Sequence, residues 1–311
     1  MAFRSILVIK LGALGDFVQA TGPFAAIRAH HRSDQVTLLT PPPYKALAEA
    51  SGYFDAVWLD DKPKALAFGK WLTLRKRLRD GRFDRVYDLQ TSDRSSFYFH
   101  LFRPGPRPEW SGIAGGASHP HANPKRDRMH TVDRQRDQLA TAGIINVPDP
   151  DLSWAAADLR RFSVPEIFSL LVPGGASHRP AKRWPAKHYN RLALGLAERG
   201  IAPVILGVGS EAELAADVVR DVPGAVDLTG KTDLLELAAL ARQAAVAVGN
   251  DTGPMHVTAA AGCPSLVLFS NDSDPALCAP RGRRVLVLRT DDLADLPFDR
   301  VELTVEALIG S

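Results

Sequence analysis

The sequence predicts an α/β protein built of two doubly wound halves, and three features carry that prediction. Short apolar runs without alternation, such as Ile6-Leu7-Val8-Ile9, recur along the chain and read as strands buried on both faces of a parallel sheet. Stretches with apolar residues at helical spacing separate them, which is the β-α-β rhythm. The rhythm lapses near 145–165 and then restarts, dividing the chain into domains at 1–155 and 156–311.

In the first half, the run 6–9 leads into a glycine turn, Gly12 to Asp16, and then into a helix, Phe17 to His30, that Pro23 bends or starts. Strands follow at 36–40, 56–59 and 85–89, with helices at 46–50, 66–79 and 95–101. Residues 103–130 are rich in Gly, Pro, His, Arg and Lys and read as a long functional or mobile loop. A helix at 133–142 leads out. The second half has strands at 169–172, 203–206, 245–249, 265–269 and 285–288. Its helices are at 188–199, 211–220, 233–243, 257–261 and 304–309, and the last is expected to pack back on the first half.

Bulk properties narrow the function. Hydrophobic residues make up 45% and charged residues 23% of 311, an ordinary globular balance. The net charge of +3, from 38 Lys and Arg against 35 Asp and Glu, does not call for nucleic acid. It fits anionic ligands or an anionic membrane surface. Cys263 and Cys278 match neither a disulfide framework nor a metal site and suit a reducing compartment. No window reaches the roughly 18 apolar residues of a membrane span. The apolar run before Lys10 is too short for the core of a signal peptide. The expectation is a cytoplasmic protein, peripheral at most to the inner face of a membrane.

The chemistry should lie on loops at the carboxyl ends of strands, where open α/β sheets bind ligands. Lys10 to Asp16 opens a helix and offers one carboxylate; a helix cap and a catalytic role fit Asp16 equally. Pro173 to Pro185 concentrates glycines, Ser177 and the cations Arg179, Lys182 and Arg183. Close backbone approach and neutralising charge there suit a diphosphate, with a solvated basic turn as the alternative. Gly249 to His256 supplies Thr252 and the Gly253 amide as phosphate donors and Asp251 as a ribose, ordering or cation contact. Taken alone, His256 reads as a packed helix residue. Glu211 or Glu213 follows a further strand and fits either ribose hydroxyls or a favourable first helical turn. In the first half, Asp88 to Ser95 ends a strand with polar groups, and 119–136 is a basic stretch suited to an anionic acceptor or simply solvated. Its histidines lack zinc spacing.

Taken as a set, Ile6–Asp16 (ILVIKLGALGD), Tyr87–Gln90 (YDLQ), Pro173–Gly174 with Pro180–Pro185 (PAKRWP) and Asn250–His256 (NDTGPMH) resemble glycosyltransferase family 9, the ADP-heptose:lipopolysaccharide heptosyltransferases. The resemblance implies a GT-B fold, two Rossmann-like domains facing a central cleft. The N-terminal domain would bind the acceptor and the C-terminal domain the nucleotide-sugar. It implies inverting, metal-independent transfer of a sugar, heptose by family default, from an ADP-sugar to a lipopolysaccharide-core or related glycan. No cofactor is implied; the partners are that donor and an anionic glycolipid, with peripheral inner-membrane contact.

By the same resemblance, Asp16 is the general base and Lys182 stabilises the departing diphosphate. Gly15, Ser177, Glu211, Glu213, Asp251, Thr252, Gly253 and His256 form the nucleotide-sugar set; Gln90, Arg94 and Arg128 are the acceptor set. A GT-B-like nucleotide-sugar epimerase and a catalytically inactive nucleotide-sugar-binding protein are the alternatives. A dinucleotide oxidoreductase is disfavoured because no GxGxxG is followed by an acidic residue about 20 positions on.

Overall fold

The computed structural model describes residues 3–175 and 179–310. The chain separates into two compact units, Met1–Pro150 and Asp151–Ser311. The division falls five residues before the boundary expected at 155, because Leu152 already donates its amide to Ala260 in the second unit.

The first unit runs β1 (Ser5–Ile9), α1 (Leu14–Gln19), α2 (Thr21–His30), β2 (Gln35–Thr40), α3 (Lys45–Ala50), β3 (Ala56–Leu59), α4 (Phe68–Asp80), β4 (Arg85–Asp88), α5 (Asp93–Leu101), β5 (Glu109–Gly112), β6 (His119–Pro120) and α6 (Thr131–Thr141). The second runs β7 (Phe168–Val172), α7 (Ala186–Glu198), β8 (Ala202–Ile205), α8 (Ala212–Val219), β9 (Val226–Asp227), α9 (Leu234–Ala241), β10 (Val246–Asn250), α10 (Gly253–Ala260), β11 (Ser265–Phe269), α11 (Pro275–Cys278), β12 (Val285–Arg289) and α12 (Phe298–Ile309).

Each unit contains one six-stranded sheet, ordered β3-β2-β1-β4-β5-β6 and β12-β11-β10-β7-β8-β9, with parallel pairings throughout. These are the same doubly wound order, 3-2-1-4-5-6, written from opposite edges. The order reverses between β1 and β4 in one sheet and between β7 and β10 in the other. Ile6 to Ile9 on β1 and all five residues of β7 are buried, as strands covered by helices on both faces must be.

The structure departs from the sequence reading in several places. Residues 103–130 are not one loop: β5 and β6 extend the first sheet. Trp110 on β5 is fully buried, with ring centroids 5.2 Å from Phe99 and 6.3 Å from Phe102. Short strands among prolines and glycines give too little periodicity to read. The basic stretch is also tied down. His121 Nε2 and Asn123 Nδ2 each lie 2.8 Å from Asp137 Oδ2 on α6, and His130 Nδ1 accepts the Val132 amide at the start of that helix. The Phe17–His30 helix breaks at Ala20 instead of Pro23, which sits harmlessly in the first turn of α2. Finally, α12 starts at Phe298, well before 304, and buries Phe298, Val301, Val305 and Leu308 in the core of its own unit.

At the amino ends of β1, β4 and β5, Arg85 Nε and an Arg4 guanidinium nitrogen reach Glu109 Oε2 at 2.6 and 2.8 Å. The Arg85 hydrogen bond, with that of Arg4, holds the Glu109 carboxyl down to about 2 against partial burial. A depressed carboxylate stabilises the fold above its unfolded value of 4.5 and loses that contribution as pH falls towards 2. Glu109→Gln should therefore cost about 1 kcal/mol at pH 7, a screened value for a half-exposed pair, and nothing near pH 2. Urea titrations across that range would show it; an unchanged pH slope would remove the pair from the stability account.

Candidate active site

In doubly wound sheets, the crevice beside the order reversal is where a ligand has access to two diverging loops. In the first unit these are the loops after β1 and β4; in the second, those after β7 and β10. All four motifs singled out from the sequence begin on these loops or on the strands leading into them.

The loop after β1 is held from both sides. Leu11 N donates to Gln90 Oε1 at 2.8 Å, and Lys62 Nζ donates to Leu11 O at 2.8 Å. Gly12 has φ of 105°, and a Cβ there would lie 2.7 Å from the Tyr44 hydroxyl, so only glycine fits. Asp16 is the third residue of α1, with Ala13 at the cap position, and its Oδ2 accepts the Ala13 amide at 3.2 Å. The local reading of Asp16 as the N-cap itself is thus corrected: it serves the capping turn from inside the helix. Gly15 precedes it in the same half-buried turn.

Charge around Asp16 comes from residues that spacing did not single out. The buried Lys10 ammonium donates to Leu89 O at 3.1 Å. Burial lowers its pKa, the charges of Asp16 and Asp88 oppose that, and Arg134 adds to it. Arg134 on α6 is likewise lowered by burial and by Arg126, with Asp16 and Asp127 opposing. Burial, and then the Asp16 charge, raise Tyr44. Asp16 therefore shares its surroundings with two cations and a phenol.

The expected acceptor contacts fare unequally. Gln90 spends its side-chain oxygen on Leu11. Arg94 donates to Pro63 O at 3.1 Å and lies 5.7 Å from the Trp71 ring centroid. Arg128 is exposed on the turn Arg126–Arg128. The first two brace the loops, and the third is open to solvent.

In the second unit one side chain joins the two loops. Asn250, fully buried at the end of β10, donates from Nδ2 to Pro173 O and Gly174 O at 2.8 and 3.0 Å. Its Oδ1 accepts from Trp184 N at 3.2 Å and Tyr189 OH at 3.0 Å. Trp184 is buried and donates Nε1 to Leu296 O at 3.0 Å, which ties the loop to the core of its unit. Beside this hub, Lys182 Nζ lies 2.6 Å from Asp251 Oδ2, with only 13% and 10% of the two side chains exposed. Ser273 Oγ, outside every motif singled out above, donates to the same oxygen at 2.6 Å.

Glu211 is also committed. Its Oε1 accepts the Gly175 amide and its Oε2 the Val208 amide, both at 3.0 Å, and a Cβ on Gly174 would collide with the carboxylate at 2.2 Å. Glu213, by contrast, is exposed on α8, so of the two only Glu211 meets the loop after β7. Thr252 caps the backbone entry to α10, and Gly253 is that helix's first residue, so α10 starts four residues earlier than periodicity indicated. His256 is buried on α10. Ser177 lies outside the described residues. Among the described residues, no group of three or more His, Cys, Asp or Glu is placed to hold a metal ion.

A family model described as glycosyltransferase family 9 (heptosyltransferase) matches residues 71–302. The chain belongs to glycosyltransferase family 9. It is 32% identical to lipooligosaccharide heptosyltransferase 2 of Haemophilus ducreyi over 92% of this chain and 89% of that one. A family 9 glycosyltransferase structure from Veillonella parvula matches with a TM-score of 0.84 at 20% identity, covering 99% of this chain and 97% of that one. The structure of E. coli ADP-heptose lps heptosyltransferase II matches with a TM-score of 0.81 at 22% identity and 98% coverage of both. The fold is GT-B, of two Rossmann-like units, and the protein is a glycosyltransferase. Family 9 membership favours the transferase over the epimerase and oxidoreductase readings.

One residue of the family-like YDLQ motif gives a pH signature. Burial raises the Asp88 carboxyl from 3.8 to about 6, with the amides of Thr91 and Gln90, Ser95 and Lys10 pulling it back. Its folded pKa is raised, so the native state binds more protons between these values. Its neutral form contributes fully below about 4, and that contribution is lost as pH rises through about 6. The loss should be on the order of 2–3 kcal/mol. Asp88→Asn, which can keep both accepted amides, should flatten the stability profile between pH 4 and 7. Chemical unfolding at stepped pH measures it; an identical slope in the variant would refute the assignment.

Proposed function

We propose that this family 9 member transfers a heptosyl unit, with inversion, from ADP-heptose to a lipopolysaccharide-core acceptor. The domains divide the work: Met1–Pro150 takes the acceptor and Asp151–Ser311 the nucleotide-sugar. The observation that carries the reading is the Lys182–Asp251 pair at the order reversal of the second sheet, because a poorly exposed cation there suits a diphosphate. The relative from Haemophilus ducreyi is named a heptosyltransferase, and the similar E. coli structure is named for ADP-heptose, which supports the donor and the sugar.

In this mechanism Asp16 removes the proton from an acceptor hydroxyl, whose oxygen attacks the anomeric carbon as the bond to the ADP phosphate oxygen breaks. The anchoring of Oδ2 by the Ala13 amide fixes the carboxylate while leaving Oδ1 to work. Lys182 meets the charge that develops on the leaving diphosphate, an electrostatic role. Thr252 and the Gly253 amide, at the start of α10, bind phosphate together with Ser177. Gly15, Asp251 and His256 complete the donor site. Glu211 meets ribose through lone pairs left after its two amide contacts, in preference to Glu213. Gln90 and Arg94 shape the acceptor side, and Arg128 meets acceptor charge. The protein works in the cytoplasm, where the nucleotide-sugar is available.

Two substitutions test the roles separately. Asp16→Asn should lower kcat by about 100-fold or more while ADP affinity stays within about twofold. Turnover that survives would exclude Asp16 as the base. Lys182→Ala should weaken ADP binding about tenfold and lower turnover as well. Calorimetric titration with ADP, UDP, GDP and NAD reads this directly. Binding that prefers UDP, GDP or NAD, or that ignores Lys182, would overturn the donor assignment.

A further inference from the structure

We propose that the outer face of α4, with the loop before it, docks this protein on an anionic lipid bilayer. Isolated exposed apolar residues are ordinary on protein surfaces, but a concentration of them is not. Leu66, Phe68 and Leu72 are 84%, 71% and 62% exposed within seven residues, and Phe97 on α5, 47% exposed, reaches the same helix through an edge contact with Trp71 at 5.2 Å. Positions 68, 72, 75, 76 and 79 fall on one side of a 3.6-residue helix. That side therefore carries Phe68 and Leu72 followed by Arg75, Lys76 and Arg79, while Leu74 and Leu78 are buried on the other.

Charge selects the occupant. From Lys62 to Arg79 the chain has seven Lys and Arg and no Asp or Glu. Asp80 then pairs with Lys76 at 2.6 Å on the exposed surface, a weak pairing in water. Large apolar side chains beside a basic cluster match a headgroup layer, where the former enter the acyl boundary and the latter meet anionic lipid. A second copy presenting the same face would oppose cation to cation. No helix among the described residues is long and apolar enough to cross a membrane, so contact by this route is peripheral.

The position has a functional consequence, which rests on the proposed lipid-linked acceptor. Lys62 donates to Leu11 O, so the segment leading into this face is fastened to the loop that carries Asp16, and Arg94 on α5 holds the same segment through Pro63 O. Docking would bring that loop to the surface where such an acceptor resides.

The test is co-sedimentation of the full chain with vesicles of phosphatidylglycerol and phosphatidylcholine, against pure phosphatidylcholine. Binding should require the anionic lipid and weaken with salt. Phe68→Ser with Leu72→Ser, and separately Lys76→Glu with Arg79→Glu, should each lower partitioning about tenfold or more. Leu303→Ser, an equally exposed apolar position on α12, should not change it. All three proteins should melt like the parent, since the side chains are exposed. Vesicle binding with this variant pattern supports the docking face whether or not heptosyl transfer is found, so the two readings fail separately. Absence of binding by the parent chain, or variants that bind as it does, overturns the proposal. So does a dimer that Phe68→Ser with Leu72→Ser dissolves while vesicles stay unbound.

Discussion

The geometry of the second unit's site depends on one buried carboxamide. Asn250 uses both ends of its side chain, giving two hydrogen bonds to the loop after β7 and accepting two from the start of the next helical segment. A buried amide group left unpaired costs about 1–3 kcal/mol, so each partner enforces the others. The effect is to fix the loop containing Lys182 against the strand end that carries Asp251. Only a carboxamide has two donors and an acceptor in this arrangement, and glutamine would carry it one methylene farther out; a carboxylate lacks the donors, and a hydroxyl lacks the reach. Sequence, hydrogen bonding and site geometry meet in this residue.

The first unit solves the same problem differently. There the loop after β1 is stapled by Gln90 from the β4 side and by Lys62 from the β3 side. Both units share one sheet topology, so both place their functional loops at an order reversal, but the chemistry they present is opposite. One offers a carboxylate among cations, Asp16 with Lys10 and Arg134. The other offers a cation held by a carboxylate, Lys182 with Asp251. A common scaffold thus presents a carboxylate among cations in one half and a carboxylate-held cation in the other, and the difference lies in the side chains gathered around those loops.

Strands with apolar runs that do not alternate were legible because burial on both faces leaves no other pattern, and β1, β7, β10 and β11 fall where those runs predict. β5, β6 and β9 were not legible. They are four residues or fewer, and what makes them strands is pairing with distant neighbours such as β4 and β8. Site loops could be found because glycines and charges cluster at strand ends. Their internal wiring could not: nothing in the spacing says that Glu211 holds the Gly175 amide, that Gln90 holds Leu11, or that Ser273 reaches Asp251. Those contacts join residues 22 to 79 positions apart and exist only once the sheet is assembled. Gln90, Arg94 and Glu211, expected to meet ligand, also brace the loops around the site.

The Lys182–Asp251 pair shows what such bracing means for the proposed reaction. Two charges with little exposure cost several kcal/mol each to desolvate, and their attraction offsets this only with good geometry and further hydrogen bonds. Ser273 supplies one such bond to Asp251. In the proposed reaction Asp251 thus holds the ammonium in place before the donor arrives, so the diphosphate would meet a group already stripped of most of its water. Binding then exchanges one anionic partner for another, or shares the ammonium between them, so little of the ligand's charge attraction is lost to reorganisation. The same exchange limits ground-state affinity, because the diphosphate must compete with Asp251. It favours the departing ADP, whose phosphate carries more negative charge than it did in the intact donor. A cation held by a nearby carboxylate therefore responds more strongly to the transition state than to the substrate, which is the condition for raising turnover.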